Sequence, residues 1–302
     1  MENFYQSKMM QGYEDPTKLH DSYKETLIPI PCRMIICGPA GSMKTNFVFN
    51  FIKKMNCFDD FYLFAKNLNQ PLYDAWTKKV KKAEEKEGIH ILHTSTTLKN
   101  LPPLESFNQN NRHLVIIDDF ITDLKKNPIV SEYYVRSRPW NVSPIVIVQS
   151  YYEVPTIIRQ SADIVVFTKL LNNKNVRMIS KEIANDITPE ALHDLIKRCT
   201  QKKGDVLIIN QNDDITTKYR HNWKPIDMSA YIEDRPQEFE DNEPDIGEDD
   251  DEGTDHEASR DEPTKVKKQS STVKFRCHCG KEVSQSQMER HQKSKYHLAH
   301  LK

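Results

Sequence analysis

The chain has 302 residues, of which 43 are Lys or Arg and 44 are Asp or Glu, so its formal net charge is -1. Its N-terminus is polar and charged, and no apolar run approaches the roughly 18 residues needed to span a bilayer. We therefore expect a soluble protein without a signal peptide, built as one ordinary domain with an appendage or as two domains.

Apolar runs alternate with helical patterns after a polar lead-in over residues 1–26. Each short aliphatic run predicts a buried strand, and each stretch with helical spacing predicts a helix. Strands that alternate with helices are typical of an α/β fold with a mostly parallel central sheet. The predicted strands are residues 32–37, 58–65, 89–93, 114–117, 144–149, 162–169 and, as the last, 206–209; the predicted helices are residues 46–55, 71–86, 131–138, 155–160 and 189–199.

A glycine-rich loop between the first strand and the first helix has the pattern of a phosphate-binding P-loop. Its backbone N–H groups and the positive end of the following helix bind phosphate oxygens. Lys44 is the candidate contact to the β- and γ-phosphates, and the Thr45 hydroxyl is the candidate ligand of Mg²⁺. Met43 departs from the pattern, since glycine usually precedes the lysine, and a plain strand-to-helix turn is the alternative. The predicted ATP-binding residues are Gly38, Pro39, Ala40, Gly41, Ser42, Met43, Lys44 and Thr45.

Polar side chains end two later strands. Asp118 and Asp119 follow the aliphatic run 114–117; Asp118 is predicted to hold Mg²⁺ through water, and Asp119 to polarise the attacking water. The second acid is more often Glu in such enzymes. Gln149 ends the next buried strand, where it can sense the γ-phosphate. A turn after a strand explains either motif alone, but the P-loop and the two carboxylates in this order predict a nucleotide hydrolase.

The C-terminal residues divide sharply by charge. Residues 233–262 contain 16 acidic and 2 basic residues, whereas residues 263–302 contain 10 basic and 2 acidic residues. Because it lacks apolar content, the segment 233–270 is predicted to be a disordered acidic linker. The basic tail suits a polyanionic partner such as nucleic acid, and a merely solvated tail is the alternative. This leaves residues 27–232 as the P-loop domain and residues 271–302 as a small separate module.

The C-terminal module has the ligand types of a small zinc finger. A segment this short cannot fold on apolar burial alone, so a bound Zn²⁺ is the favoured interpretation, although the cysteines are closer together than usual. The module could contact nucleic acid or dock a protein. The other four cysteines are scattered, which indicates a reducing compartment. The predicted zinc ligands are Cys277, Cys279, His291 and His297, with His278 and His300 as rivals.

The motifs in their order resemble the genome-packaging ATPases of large DNA viruses and of virus-like Polinton (Maverick) elements, in the FtsK–HerA superfamily. The resemblance covers roughly residues 30–210, and its most specific part is the block formed by Gln149-Ser150-Tyr151 and Pro155 to Arg159. It implies a RecA-like P-loop core and a homo-oligomeric ring around double-stranded DNA. In such a ring an arginine finger acts in trans. Arg138 and Arg136 are the first candidates and Arg159 the third, with surface or DNA-facing arginines as the alternative.

The function implied by this resemblance is ATP-driven packaging of a double-stranded DNA genome into a capsid, with a capsid or portal-like protein as partner. The implied location is the nucleus or cytoplasm of an infected or host cell, or the virion. Two other hypotheses stay open: a helicase-type remodelling ATPase on the same core, and a DNA-binding or scaffold protein whose P-loop is degenerate at Met43.

Overall fold

The computed structural model describes residues 10, 12, 14–125, 127–169, 173–232, 274–276 and 282–284. The chain divides into two compact units, Met1–Glu240 and Asp241–Lys302. The described part of the first unit contains a nine-stranded sheet with helices packed on both faces. The predicted α/β class with a mostly parallel central sheet is confirmed.

The elements of the first unit follow the predicted alternation, with bounds that differ by a few residues. In chain order they are α1 (Tyr23–Thr26), β1 (Met34–Cys37), α2 (Lys44–Met55), β2 (Asp60–Ala65), α3 (Pro71–Glu87), β3 (Leu92–Ser95), β4 (His113–Asp118), α4 (Ile121–Leu124), α5 (Pro128–Arg136), β5 (Val142–Val148), α6 (Thr156–Ser161), β6 (Ile164–Phe167), α7 (Asn173–Ile183), α8 (Pro189–Cys199), β7 (Leu207–Asn210), α9 (Ile215–Lys218), β8 (Tyr219–His221), β9 (Lys224–Pro225) and α10 (Ser229–Ile232).

The order of strands across the sheet is β3-β2-β4-β5-β1-β6-β7-β8-β9. The six strands from β3 to β6 in this order run parallel, and β7, β8 and β9 are antiparallel to their neighbours. We call the edge at which the parallel strands end the carboxyl edge, and the edge at which they begin the amino edge. Because β5 lies between β1 and β4, the segments that follow these three strands meet at the carboxyl edge.

Successive side chains of the central strands enter two separate cores. In β1, Ile35 and Cys37 pack with α5, α6, α7 and α8, whereas Met34 and Ile36 pack with α2 and with Tyr73 of α3. Burying one such side chain stabilises the fold by about 1.5–3 kcal/mol. A strand that is buried on both faces needs apolar residues at every position, which is why these strands stand out as continuous aliphatic runs.

The C-terminal part of the sheet differs from the prediction, because β7 is not the last strand. The short strands β8 and β9 extend the sheet beyond it, and His221 and Lys224 in them are exposed. Strands of two or three residues with exposed polar side chains produce no aliphatic run. The helix α7 was also not predicted, although Val176, Ile179 and Ile183 have helical spacing and are buried.

The described part of the predicted lead-in packs against the sheet unit. His20 Nε2 lies 2.8 Å from the Ile28 carbonyl oxygen, and Ser22 Oγ donates to the carbonyl of Lys54 at the end of α2. The Arg220 guanidinium, which is fully buried, donates to the carbonyl of Thr26. These bonds tie residues before β1 to two distant parts of the fold.

The second unit is described only over an antiparallel pair of strands, β10 (Lys274–Arg276) and β11 (Glu282–Ser284), in which Phe275 pairs with Val283. The predicted acidic linker and the predicted zinc ligands Cys277, Cys279, His291 and His297 lie outside the described residues. Within the described ranges, no cluster of three or more His, Cys, Asp or Glu side chains could hold a metal ion. In the same ranges, no helix has both the length and the apolar character needed to cross a membrane.

Candidate nucleotide-binding site

A cavity of about 660 Å³ opens at the carboxyl edge of the sheet. The predicted P-loop and the start of α2 form one side of it, and the ends of β4 and β5 form another. The cavity brings together eight of the predicted site residues: Gly41, Ser42 and Met43 of the loop, and the five candidates for phosphate, Mg²⁺ and water contacts, Lys44, Thr45, Asp118, Asp119 and Gln149. Its other lining residues are Asn46, Gln70, Pro71, Leu72, Ile121, Ile147, Val148, Glu153 and Lys203.

The P-loop turns through two residues with left-handed backbone. Gly41 has a φ of 72°, and Met43, the residue before α2, has a φ of 71° and a ψ of 24°. For an L-residue this conformation costs roughly 1–2 kcal/mol, which accounts for the usual glycine at this position. The side chain of Met43 lies at the cavity and is 36% exposed. Met43 in place of the usual glycine therefore retains the loop geometry, at a local cost in backbone strain.

The loop is braced by a threonine from the neighbouring strand. Ser42 Oγ donates to the Pro39 carbonyl at 2.7 Å and lies 2.7 Å from Oγ1 of Thr168, which follows β6. A Cβ on Gly38 would overlap Thr168 Oγ1 and would lie 2.8 Å from Ser42 Oγ. Only glycine fits at residue 38 for this reason. The contribution of Thr168 was not predicted, because the sequence does not reveal that β6 lies beside β1.

The Lys44 side chain folds back onto carbonyl groups of its own loop. Its Nζ donates to the carbonyl oxygens of Gly38 at 2.6 Å and of Pro39 at 3.0 Å. Burial lowers the pKa of this ammonium group, while the negative charge of Asp118 opposes the shift. A lysine ammonium has three donors, so one remains for a further acceptor in the cavity.

Asp118 is a buried carboxylate held by a tyrosine that the sequence analysis missed. The Tyr73 hydroxyl donates to Asp118 Oδ2 at 2.8 Å, and Tyr73 also hydrogen-bonds the side chain of Thr45. Burial raises the pKa of Asp118, while the hydrogen bond from Tyr73 opposes the shift. Tyr73 lies in the first turn of α3, and no motif in the sequence marked its role.

The oxygen donors of Thr45 and Asp118 fit a magnesium ion. Mg²⁺ prefers hard oxygen ligands and usually takes one or two carboxylates from the protein, with phosphates and waters supplying the rest. Thr45 and Asp118 supply a hydroxyl and a carboxylate at the same cavity, and Tyr73 links the two side chains.

Asp119 and Gln149 are the exposed members of the site. Asp119 has a φ of 63°, a left-handed conformation that Asp tolerates better than most residues. Gln149 directly follows β5, between the loop after β1 and the acids at the end of β4. Both side chains line the cavity, so both can reach a molecule bound there.

None of the three candidate finger arginines lines this cavity. Arg138 and Arg136 precede β5 and so lie toward the amino edge. The Arg138 side chain is 55% exposed, with one nitrogen 2.6 Å from Oδ1 of the buried Asp163, and Arg136 pairs with the exposed Glu105. The remaining candidate, Arg159, is buried and donates to both carboxylate oxygens of Glu182 and to the Val154 carbonyl.

The sequence profile of the poxvirus A32 protein matches residues 20–223. The match contains the P-loop, both carboxylates, Gln149 and the sheet from β1 to β8. The chain belongs to the poxvirus A32 protein family. This membership confirms the resemblance to viral packaging proteins that was stated from the motifs.

The curated relatives include the DNA packaging protein OPG160 of variola virus and of vaccinia virus (strain Western Reserve), each 25% identical over 140 residues, which are 44% of this chain and 52% of the relative. The chain thus spans about half the length of the curated relatives it matches.

Solved structures similar to this A32-family chain include the genome packaging NTPase B204 from Sulfolobus turreted icosahedral virus 2. Its complex with AMP has a TM-score of 0.46 and 16% sequence identity, and the similarity covers 65% of this chain and 98% of that chain. Its complex with ATP-gammaS has a TM-score of 0.46 and 17% identity over the same shares of the two chains.

Proposed function

We propose that this protein is an ATPase that moves double-stranded DNA during the packaging of a viral or virus-like genome into a capsid. The observation that carries the proposal is the single cavity at which Lys44, Thr45, Asp118, Asp119 and Gln149 meet. Membership in the A32 family and the packaging names of the relatives support DNA as the substrate.

The roles we propose follow from position and burial. Lys44 turns from the loop carbonyls to the β- and γ-phosphates of ATP, which the loop N–H groups also bind. Thr45 and the buried Asp118 hold Mg²⁺, which when bound neutralises phosphate charge. The exposed Asp119 orients the attacking water and accepts its proton, and Gln149 contacts the γ-phosphate and the same water.

We further propose that a ring of identical subunits, as in the FtsK–HerA superfamily, completes each site with an arginine from the neighbouring subunit. Arg138 is the first candidate because Asp163 holds one of its nitrogens and the rest of the guanidinium is exposed. Arg136 is the second candidate. In a mixture of Lys44→Ala and Arg138→Ala chains, some interfaces combine an intact Lys44 with an intact Arg138. We expect such a mixture to regain part of the activity that each variant lacks, whereas no recovery would exclude the trans role.

The C-terminal module is proposed to bind Zn²⁺ through Cys277, Cys279, His291 and His297 and to contact DNA or a capsid protein. Elemental analysis of the purified full chain should give one zinc per chain, and Cys277→Ser should lower that content. An unchanged zinc content in this variant would exclude Cys277 as a ligand. Because Zn²⁺ binds the deprotonated thiol and the neutral imidazole, protonation of these ligands at low pH should weaken zinc binding.

The test of the proposed function is Mg²⁺-dependent ATP hydrolysis measured with and without long duplex DNA. We expect turnover that duplex DNA stimulates and that Lys44→Ala and Asp119→Asn abolish. The matched control is Lys53→Ala, which removes an exposed lysine from the same helix α2 and should change little. Stimulation that grows with the length of blunt duplex supports translocation, whereas strand separation on forked DNA would support the helicase hypothesis. Absence of turnover under all these conditions would contradict an ATPase.

A further inference from the structure

Lys203 lines the nucleotide cavity from a segment that no P-loop motif includes. It lies between α8 and β7, more than 150 residues after the P-loop in the sequence. Because β7 runs antiparallel to β6, the segment before β7 lies at the edge where β6 and β1 end. The change of strand direction therefore brings a distant lysine to the carboxyl edge.

A tight turn fixes the backbone around Lys203. The Asp205 N–H donates to the Lys202 carbonyl at 3.0 Å, so Lys203 is the second residue of a four-residue turn. Gly204 is the third residue and has a φ of 99°, which a type II turn requires at that position. The carboxylate of Asp205 accepts a hydrogen bond from Asn222 and pairs with His221, so the turn is anchored to β8.

The charges around the cavity leave Lys203 as the available cation. The lining carries the carboxylates of Asp118, Asp119 and Glu153 and the ammonium groups of Lys44 and Lys203, a formal balance of 2 − 3 = −1. Lys44 already donates to two carbonyls. Among the described residues Lys203 has no hydrogen bond or ion pair, and it is exposed. An unpaired ammonium beside a phosphate-binding loop is suited to a polyanion.

We propose that Lys203 binds the polyphosphate of the nucleotide, as a second cation of the site in addition to Lys44. This inference rests on the proposed function, because it requires ATP in the cavity. Lys202 offers the matched comparison: it is an exposed lysine in the same turn that does not line the cavity.

The experiment is equilibrium binding of a fluorescent N-methylanthraniloyl-ATP to the full-length chain in Mg²⁺ at low salt. One charge-assisted contact in a partly exposed site is worth a change of about 10-fold in Kd. We expect Lys203→Ala to bind about 10-fold more weakly, Lys203→Arg to recover most of the affinity, and Lys202→Ala to bind as the unmodified chain does. The difference should shrink at high salt, because an exposed charge is screened.

Equal affinities for Lys203→Ala and Lys202→Ala, whether both unchanged or both weakened alike, would overturn the inference. The Lys44→Ala variant separates this failure from that of the proposed function. If Lys44→Ala loses binding while Lys203→Ala keeps it, the cavity binds ATP and Lys203 is only a surface lysine. If the unmodified chain binds no nucleotide, both the proposed function and the role of Lys203 are wrong.

Discussion

Replacing Met43 by Gly and, separately, by Ala tests whether the P-loop carries backbone strain at this residue. Both variants lose the same methionine side chain, so the difference between them reports on the backbone alone. At most positions glycine is less stable than alanine because it loses more conformational freedom on folding. With a φ of 71° at residue 43 the order should reverse.

The size of the effect follows from two opposing quantities. A left-handed backbone costs an L-residue such as alanine roughly 1–2 kcal/mol, a cost that glycine avoids. Glycine in turn loses more conformational freedom on folding than alanine does, which lowers its advantage by about 0.5–1 kcal/mol. Met43→Gly should therefore unfold with a free energy about 1 kcal/mol higher than Met43→Ala. For a protein of this size that corresponds to a Tm difference of about 2–4 °C.

Gly41→Ala is the reverse change, because it introduces a Cβ at a left-handed residue that is naturally glycine. Its φ is 72°, and an added Cβ would meet no atom within 4 Å, so the variant tests conformation without a steric clash. It should be less stable than the unmodified chain by about 1 kcal/mol. Urea unfolding of the nucleotide-free full chain measures all three variants. Stability of Met43→Ala equal to or above that of Met43→Gly would refute the assignment of strain to residue 43.

The same variants address catalysis. Because Met43 leaves the backbone N–H in place, we expect the unmodified chain to hydrolyse ATP and Met43→Gly to do so at a similar or higher rate. Hydrolysis by Met43→Gly alone would instead mean that the natural loop has lost activity, and would favour a scaffold protein with a degenerate P-loop.

Three further changes should separate contacts at the site from contacts at the amino edge. Gly38→Ala should destabilise the chain by about 1–3 kcal/mol in urea unfolding, because its Cβ meets two side-chain oxygens. Tyr73→Phe should cost about 1–3 kcal/mol and weaken Mg²⁺-dependent nucleotide binding, because the buried Asp118 loses a donor. The third change is Asp163→Asn. Burial alone would raise the pKa of Asp163, but hydrogen bonds and charge from Arg33 lower it below its ordinary 3.8, so the ionised carboxylate stabilises the fold. This stabilisation is present above about pH 4 and is lost as the pH falls through the folded pKa.

For each of these three changes, one outcome would contradict the expectation. Nucleotide binding and stability in Gly38→Ala that match the unmodified chain would mean that the loop can relax away from β6. For Tyr73→Phe, the informative comparison is nucleotide affinity with Mg²⁺ and with a chelator, and an equal loss in both would indicate a structural effect only. Acid unfolding between pH 4 and pH 2 should be shallower in Asp163→Asn, and an unchanged slope would exclude this carboxylate as its source.

Local sequence signals predicted the elements that their own residue pattern marks. The helix α8 begins at the predicted residue because Thr188 accepts a hydrogen bond from the Ala191 N–H and a proline occupies the first turn. The strands β1, β4 and β5 were visible because burial on both faces requires unbroken aliphatic runs. The loop 38–45 and the acids at the end of β4 became candidates because the proposed chemistry fixes residue types at short spacing.

The parts of the site that escaped prediction depend on which strands are neighbours. Thr168 reaches Ser42 only because β6 pairs with β1, and Lys203 reaches the cavity only because β7 reverses direction. Tyr73 meets Asp118 because α3 covers the face of the sheet beside β4. These contacts join residues far apart in the chain, and the sequence by itself specifies no strand order.

The separation of the two edges restricts how subunits could cooperate. The cavity lies at the carboxyl edge and Arg138 precedes β5, whose seven residues span about 23 Å. An arginine side chain is far shorter than this, so Arg138 cannot serve its own cavity. A contact that supplies Arg138 to a neighbour must join unlike edges of two subunits, and when such contacts repeat head to tail they close into a ring if the rotation between subunits divides a full turn into a whole number of steps. An isologous antiparallel dimer can make the same exchange, with each subunit giving its Arg138 to the cavity of the other, so the trans role by itself does not select a ring. The mixture of Lys44→Ala and Arg138→Ala chains therefore tests the proposed trans role, and the ring is a separate hypothesis that the oligomeric state of the full chain in solution tests: a species no larger than a dimer in the presence of nucleotide and DNA would contradict it.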